Sequence, residues 1–195
     1  MTPAPPAAGT EHGASKAWFW LPIAPLVALD LWTKAAVFAF LDERYPGQGV
    51  AARHEIFDGL VRLELVRWHN PGTIWGLFQG YNLPLVVLRC VAVVLIVGYV
   101  VRLQRASRGL LLVLGAILAG ALGNLYDNFT EQGGGVRDFL YFTFFPSGWN
   151  KDFPAFNVAD ACISLGVCYL VLSILFDGGK SAAAGRAAPV AHGGP

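Results

Sequence analysis

One spacing of polar residues occurs twice at the edge of an apolar run: Asn124 and Asp127 in GNLYDN, and Asn157 and Asp160 in FNVADA. Residues three apart share a helix face, so each segment presents an amide beside a carboxylate. Asp30 and Lys34 form an i,i+4 pair within the apolar segment LDLWTKAAV, and Arg89 lies near the start of another apolar run. Ionisable groups in such surroundings are expensive and mark functional sites by default. Two carboxylates in a low-dielectric site do not both ionise easily. One keeps its proton while the other deprotonates and activates water, the aspartic-protease arrangement. Asparagines, which donate and accept, suit the task of orienting those acids or a substrate amide. Serine–histidine and zinc chemistry find no support: His12, His54, His69 and His192 lie outside the apolar runs, and no H-E-x-x-H or metal-type spacing occurs.

Simpler roles compete for each residue. Asp30 and Lys34 have the acid first, the favourable order for a structural salt bridge. Arg89 is close enough to the end of its run to snorkel to the interface, and no catalytic role is assigned to it. Asn157 could cap a helix whose first turn holds Asp160. Capping fails for Asp127, which sits at the wrong pole of the helix dipole. A further carboxylate, Asp138, follows Gly133-Gly134-Gly135 and precedes Phe139, Leu140, Tyr141 and Phe142, an apolar set expected to dip into the membrane interface. Held there, Asp138 could reach Asp160. The pattern alone leaves Asp127 and Asp138 both open as the partner of Asp160.

The elements that position these groups belong to a membrane bundle. Among 195 residues, 55% are hydrophobic and 14% charged, with a mean hydropathy of +0.50. That is too apolar for an ordinary soluble domain and points to a single polytopic membrane domain. A net charge of +1 without a basic cluster argues against nucleic acid as a partner. Cys90, Cys162 and Cys168 fall in apolar runs without C-x-x-C and read as packing residues. Runs at about 18–41, 84–102, 109–127 and 156–176 approach the roughly 20 residues that cross about 30 Å of hydrocarbon. The first is too long for a signal-peptide core and lacks a small-x-small cleavage site, so it is expected to stay attached. Residues 1–16 and 177–195 are rich in Pro, Ala and Gly and are expected to be disordered tails around a domain spanning 17–176.

Arg102, Arg105 and Arg108, with no acid among them, make the link between the second and third spans cytoplasmic by the positive-inside rule. Four spans then place both termini in the cytoplasm, in agreement with Lys16, Lys180 and Arg186, and put the loops at 42–83 and 128–155 outside. Asp30 falls roughly 18 Å along the first span, Asp127 ends the third and Asp160 begins the fourth. All are expected in the outer half of the bilayer near one depth, where stray polar residues would scatter. A site at one edge favours an enzyme fed from the outer leaflet over a proton-coupled transporter, whose site sits at the midplane between repeats. In the first outer loop, Asp58-Gly59 is a hairpin signal, and Leu63 and Leu65 alternate with Arg62, Glu64 and Arg67. A half-buried sheet of two or three strands on the membrane surface is predicted there.

At this point the chain resembles the bacterial lipoprotein signal peptidases, or signal peptidase II. The resemblance is carried by Asp30-Leu-Trp-Thr-Lys34, Asn70-Pro-Gly-Thr-Ile-Trp-Gly76, Gly120-Ala-Leu-Gly-Asn-Leu-Tyr-Asp127, Val136-Arg-Asp-Phe139 and Phe156-Asn-Val-Ala-Asp-Ala161. Each motif is weak, but five in order over about 18–176 are highly specific. The resemblance implies a membrane all-α fold with a small β element: four transmembrane helices plus an extracytoplasmic β-cradle. It implies an aspartyl endopeptidase of the bacterial cytoplasmic (inner) membrane, with its active site at the outer leaflet. Such enzymes cleave prolipoproteins just before the diacylglyceryl-modified cysteine, use no metal or organic cofactor, and are inhibited by globomycin-type peptides. Membrane lipids are the other expected partners. On this resemblance Asp138 and Asp160 are the catalytic pair. Asp30, Lys34, Asn70, Gly72, Asn124, Asp127, Arg137 and Asn157 are then supporting or substrate-binding positions.

The sequence also departs from the family pattern. Asn128 stands where the family usually has arginine, and Arg137 is the candidate for a substitute charge. Thr73-Ile74-Trp75 replaces residues that are usually small, and the segment between Asp138 and Asp160 is longer and more aromatic. These departures bear on substrate range. The alternative readings are a non-catalytic or substrate-narrowed paralogue that binds lipoproteins, and a small proton-coupled membrane protein.

Overall fold

The computed structural model describes residues 13–71, 83–131, 135–144 and 151–186. Gly72 and the Thr73–Trp75 departure lie outside the described residues. Four apolar helices are long enough to cross a membrane: Ala17–Arg44, Leu83–Arg102, Arg108–Thr130 and Val158–Phe176. They lie over the four apolar runs of the sequence. The first is broken into α1 (Ala17–Trp20) and α2 (Ile23–Arg44), because Pro22 has no N–H with which to continue the helical ladder. Helix α3 covers Leu83–Arg102, and α4 covers Arg108–Thr130. The Ser107 hydroxyl caps α4 by accepting from the Leu110 N–H at 3.2 Å. Helix α5 runs from Val158 to Arg186. Its backbone is thus helical over 177–186, where an unstructured tail was expected; the run Ala182-Ala183-Ala184 favours helix.

Helix α4 is the centre of the bundle, with 61% of its apolar 18-residue stretch buried against 6% for that of α3 and 11% for that of α5. Its small residues explain this, since helices in lipid associate where backbones can approach closely. A β-carbon on Gly120 would run into the Ala159 carbonyl oxygen of α5, and one on Gly123 into the Asp30 carboxylate of α2. These two glycines therefore set how near the polar residues of three helices can come. Toward the other end of α4, Phe19, Val100, Leu111, Leu114 and Leu118 form an apolar cluster that ties α1 and α3 to it.

The sheet has four antiparallel strands in the order β1-β2-β3-β4. Strands β1 (Arg53–Phe57) and β2 (Val61–Asn70) are the hairpin anticipated at Asp58-Gly59. Strands β3 (Val136–Phe144) and β4 (Lys151–Phe156) come from the second outer loop. The set at 139–142 was expected to dip into the interface; it forms part of a central strand instead. The aromatic and β-branched composition of Val136–Phe144 suits a strand, and pairing on both sides satisfies its backbone groups. Between Leu65 and Trp68, β2 bulges against β3, bringing Trp68 opposite Asp138 and Asn70 opposite Val136. Such bulges re-aim side chains next to a site. Strand β4 ends at Phe156, so it delivers Asn157 directly to the start of α5.

Candidate active site

Lys34 is the hub of the polar interior. It is fully buried, and its ammonium group lies 2.7 Å from Asp30 Oδ2, 3.1 Å from Asp127 Oδ2 and 3.1 Å from Asn124 Oδ1. The two carboxylates pair with the ammonium as ions, and Asn124 Oδ1 accepts its hydrogen bond. The i,i+4 pair expected from sequence is therefore present, and it joins α2 to α4. Asp30 reaches further: its Oδ1 accepts the backbone N–H of Ala159 at 2.9 Å, fixing the first turn of α5.

The orientation of Asn124 follows from this hub. Its Oδ1 is turned to Lys34 and also accepts from Asn157 Nδ2 at 3.2 Å, so its Nδ2 is left to donate to Asp160 Oδ1 at 2.7 Å. An amide flipped the other way would present N–H groups to a cation. The lysine thus determines, through Asn124, what Asp160 meets.

Asp138 projects from β3 and is 1% exposed. Its Oδ2 accepts from Asn70 Nδ2 at 3.0 Å and its Oδ1 from Asn157 Nδ2 at 2.6 Å. Burial, followed by the nearby charge of Asp160, pushes the Asp138 carboxyl well above its ordinary range, against the pull of the two asparagines and Lys34. Asn157 also performs the capping role read from the sequence, since its Oδ1 accepts the Asp160 backbone N–H at 2.9 Å. One side chain thus caps α5 and grips the acid on β3.

Asp127 is occupied differently. Oδ2 pairs with the Lys34 ammonium and accepts the Arg137 backbone N–H at 3.0 Å; Oδ1 accepts from Arg137 Nη2 at 2.6 Å and Nε at 3.1 Å. Two cations and a backbone donor saturate it. Arg137 is turned to Asp127 and to Glu131, 3.2 Å from its Nε, and its guanidinium is held above its usual range because these bonds outweigh burial. It is therefore committed away from Asn128. Arg89 reaches Asn128, its Nη1 donating to the Asn128 Oδ1. The sequence reading had left Arg89 at the interface; the missed signal is that α3 carries only one other charged residue, Arg102 at its end. Glu131, which links Arg137 to His69 at 3.5 Å, was not singled out either.

Of the candidate residues, the structure brings together Asp30, Lys34, Asn70, Asn124, Asp127, Arg137, Asp138, Asn157 and Asp160 in one network linking α2, β2, α4, β3 and α5. The Asp138 carboxyl takes its donors from Asn70 and Asn157 and the Asp160 carboxyl from Asn124, and the two differ in enclosure: Asp138 is buried, Asp160 half-buried. Two carboxyl groups so arranged can divide acid and base roles toward a peptide bond and a water.

Comparison with known proteins agrees with this architecture. The sequence pattern of Signal peptidase (SPase) II matches residues 23–176. A lipoprotein signal peptidase of Brevibacillus brevis is 31% identical over 164 residues, covering 84% of this chain and 99% of that protein. One from Anoxybacillus flavithermus is 32% identical over 75% of this chain and 79% of its own length, and one from Bacillus subtilis is 28% identical over 80% and 91%. A solved structure described as a bacterial membrane enzyme, at 2.3 Å resolution, shares the fold with a TM-score of 0.66 at 21% identity, covering 84% of this chain and 91% of its own. A second, at 1.9 Å, gives a TM-score of 0.63. Four membrane-length apolar helices with a small antiparallel sheet, and a family pattern that spans residues 23–176, lead to one conclusion: the chain belongs to the signal peptidase II family.

Proposed function

We propose that Asp138 and Asp160 are the paired acids with which this member of the signal peptidase II family removes the signal peptide from diacylglyceryl-modified prolipoproteins, cutting before the lipidated cysteine. The observation that carries the reading is the unequal support of the two acids. Asp138 is enclosed and pushed toward its protonated form by burial and by Asp160, whereas Asp160 is half-buried and accepts a bond from Asn124. Asp127, saturated by Lys34 and Arg137, has no lone pair directed at a substrate and serves as an anchor.

The proton sequence follows from that inequality. Asp160 takes a proton from water as the water oxygen bonds to the scissile carbonyl carbon, and Asp138 gives its proton to the carbonyl oxygen. In the resulting gem-diol, Asp160 passes its proton to the amide nitrogen and the C–N bond breaks. Asp138 recovers a proton from a diol hydroxyl as the carboxylic acid forms. The products are the signal peptide and the free amine of the lipidated cysteine, and both acids return to their starting states. Asn70, Asn124 and Asn157 keep the carboxyl planes fixed while protons move. No step calls on a metal or organic cofactor.

The chain lies in the bacterial inner membrane with both termini cytoplasmic, an orientation supported by Arg102, Arg105 and Arg108 at the short α3–α4 link. The sheet and the acids are then at the outer leaflet. Exposed apolar side chains such as Leu88, Val94 and Leu95 on α3 and Leu165 and Ile174 on α5 face lipid, the route by which a diacylated substrate arrives.

The test is cleavage of a diacylglyceryl-prolipoprotein by purified protein. Wild type should release a signal peptide, and Asp138→Asn and Asp160→Asn should each lose on the order of 100- to 10,000-fold in rate. Full turnover by either variant would sink the assignment. Globomycin-type peptides should protect wild type against heat through the two acids. Protection that survives loss of both acids would reject that binding mode.

A further inference from the structure

Arg89 is the only charged residue of α3 before its terminal Arg102, about 9 Å from the start of the helix at 1.5 Å per residue. The surrounding helix is apolar and packs mainly on α4. An arginine so placed opposes insertion and could be relieved by snorkelling. Instead its guanidinium turns to α4, where Nη1 donates to Asn128 Oδ1, one residue beyond Asp127. Asp127, Asp138 and Asp160 are the carboxylates whose charges reach it.

Among the described residues the other cations of the site are committed. Lys34 pairs with Asp30 and Asp127, and Arg137 with Asp127 and Glu131. Neither Asp138 nor Asp160 has a cation at ion-pair distance there. A single proton between these two acids leaves one negative charge in a low-dielectric site, and Arg89 supplies one positive charge toward it.

We propose that Arg89 is the counter-charge of the acid pair, a positioning residue tethered by Asn128 that steadies the one negative charge Asp138 and Asp160 share during catalysis. The proposal rests on the assignment of those acids above. The charged and titratable groups of the surrounding network are Asp30 and Lys34 from α2, Arg89 from α3, Asp127 from α4, Arg137 from β3 and, past the end of α4, Glu131 with His69 of β2.

Loss of the cation disfavours ionisation of the pair, so the acidic limb of the rate profile must move to higher pH. Arg89→Gln keeps most of the volume and an N–H donor but removes the charge; Arg89→Lys keeps the charge. With a diacylated prolipoprotein in non-ionic detergent, R89Q should shift the acidic limb of kcat/KM up by about one pH unit. That is about a tenfold loss on the limb, mostly in kcat, and R89K should restore the limb position. Asn128→Ala, which keeps the charge and frees its tether, should give a limb between wild type and R89Q. An R89Q limb that coincides with wild type overturns the proposal. Should R89Q fail to fold, an unmoved N128A limb overturns it instead. D138N and D160N run alongside: turnover in either rejects the acid pair itself, whereas inactive acids with an unmoved R89Q limb reject Arg89 alone.

Discussion

Asn157 Nδ2 donates to Asp138 Oδ1 over 2.6 Å, so the residue that caps α5 also holds the acid on β3. Asn157→Ala removes both interactions. The lost cap costs about 0.5–2 kcal/mol, and Asp138 would lose its shortest bond. We expect a lower melting temperature together with a fall in kcat larger than the stability loss explains. A variant that is destabilised yet turns over at the wild-type rate would confine Asn157 to capping.

Lys34 is buried among Asp30, Asp127 and Asn124. Lys34→Met leaves two enclosed carboxylates without their shared cation. Breaking a buried pair in this way costs about 3–5 kcal/mol. Adding Asp30→Asn should recover part of that loss, because neighbouring members of one network are coupled. Thermal unfolding in detergent gives the answer, and a K34M variant that melts with wild type would contradict the hub.

Gly120 of α4 lies against the Ala159 carbonyl, one residue before Asp160. Gly120→Ala should force α5 outward and displace that acid, with an overpacking cost of about 1–3 kcal/mol and reduced turnover. Gly98 of α3 has open space around it and is the matched control: Gly98→Ala should leave both quantities unchanged.

The pH dependence of stability carries a definite sign. The Asp138 carboxyl lies well above its ordinary value of 3.8, with burial the largest cause and Asp160 the next. As pH rises past the ordinary value, the unfolded chain gives up a proton that the folded chain keeps. The contribution of Asp138 is therefore fully present below that value and is lost as pH rises through the folded one. Asp138→Asn removes this dependence, so the melting temperature of D138N relative to wild type should climb as pH is raised. A difference that stays flat with pH would contradict the assignment.

Much of the fold was legible in the residues because its causes are local. The spans depend on apolar runs of about 20 residues, the Asp30–Lys34 pair on i,i+4 spacing, the β1–β2 hairpin on Asp58-Gly59, and the α5 cap on Asn157. Strands β3 and β4 were harder to see, since Val136–Phe144 becomes a strand by pairing with β2, more than sixty positions away, as Arg62 does with Thr143. A run of aromatic and β-branched residues between Gly-Gly-Gly and Pro-Ser-Gly was the available signal.

The site divides along the same line. By itself, the sequence determined that carboxylates and amides gather at one edge of a membrane bundle, because the spacing of polar residues along each helix and the count of spans decide where they emerge. It resembled a family in which Asp138 and Asp160 act together, but the spacing left Asp127 equally eligible. Only the tertiary structure showed Asp127 consumed by Lys34 and Arg137, and Asp138 enclosed beside Asp160 with Asn70 and Asn157 as its donors. It also turned Arg89 from a snorkelling residue into one that reaches Asn128. The physical reason is that the state of a buried acid depends on which donors and charges surround it in space, and here those come from five separate elements.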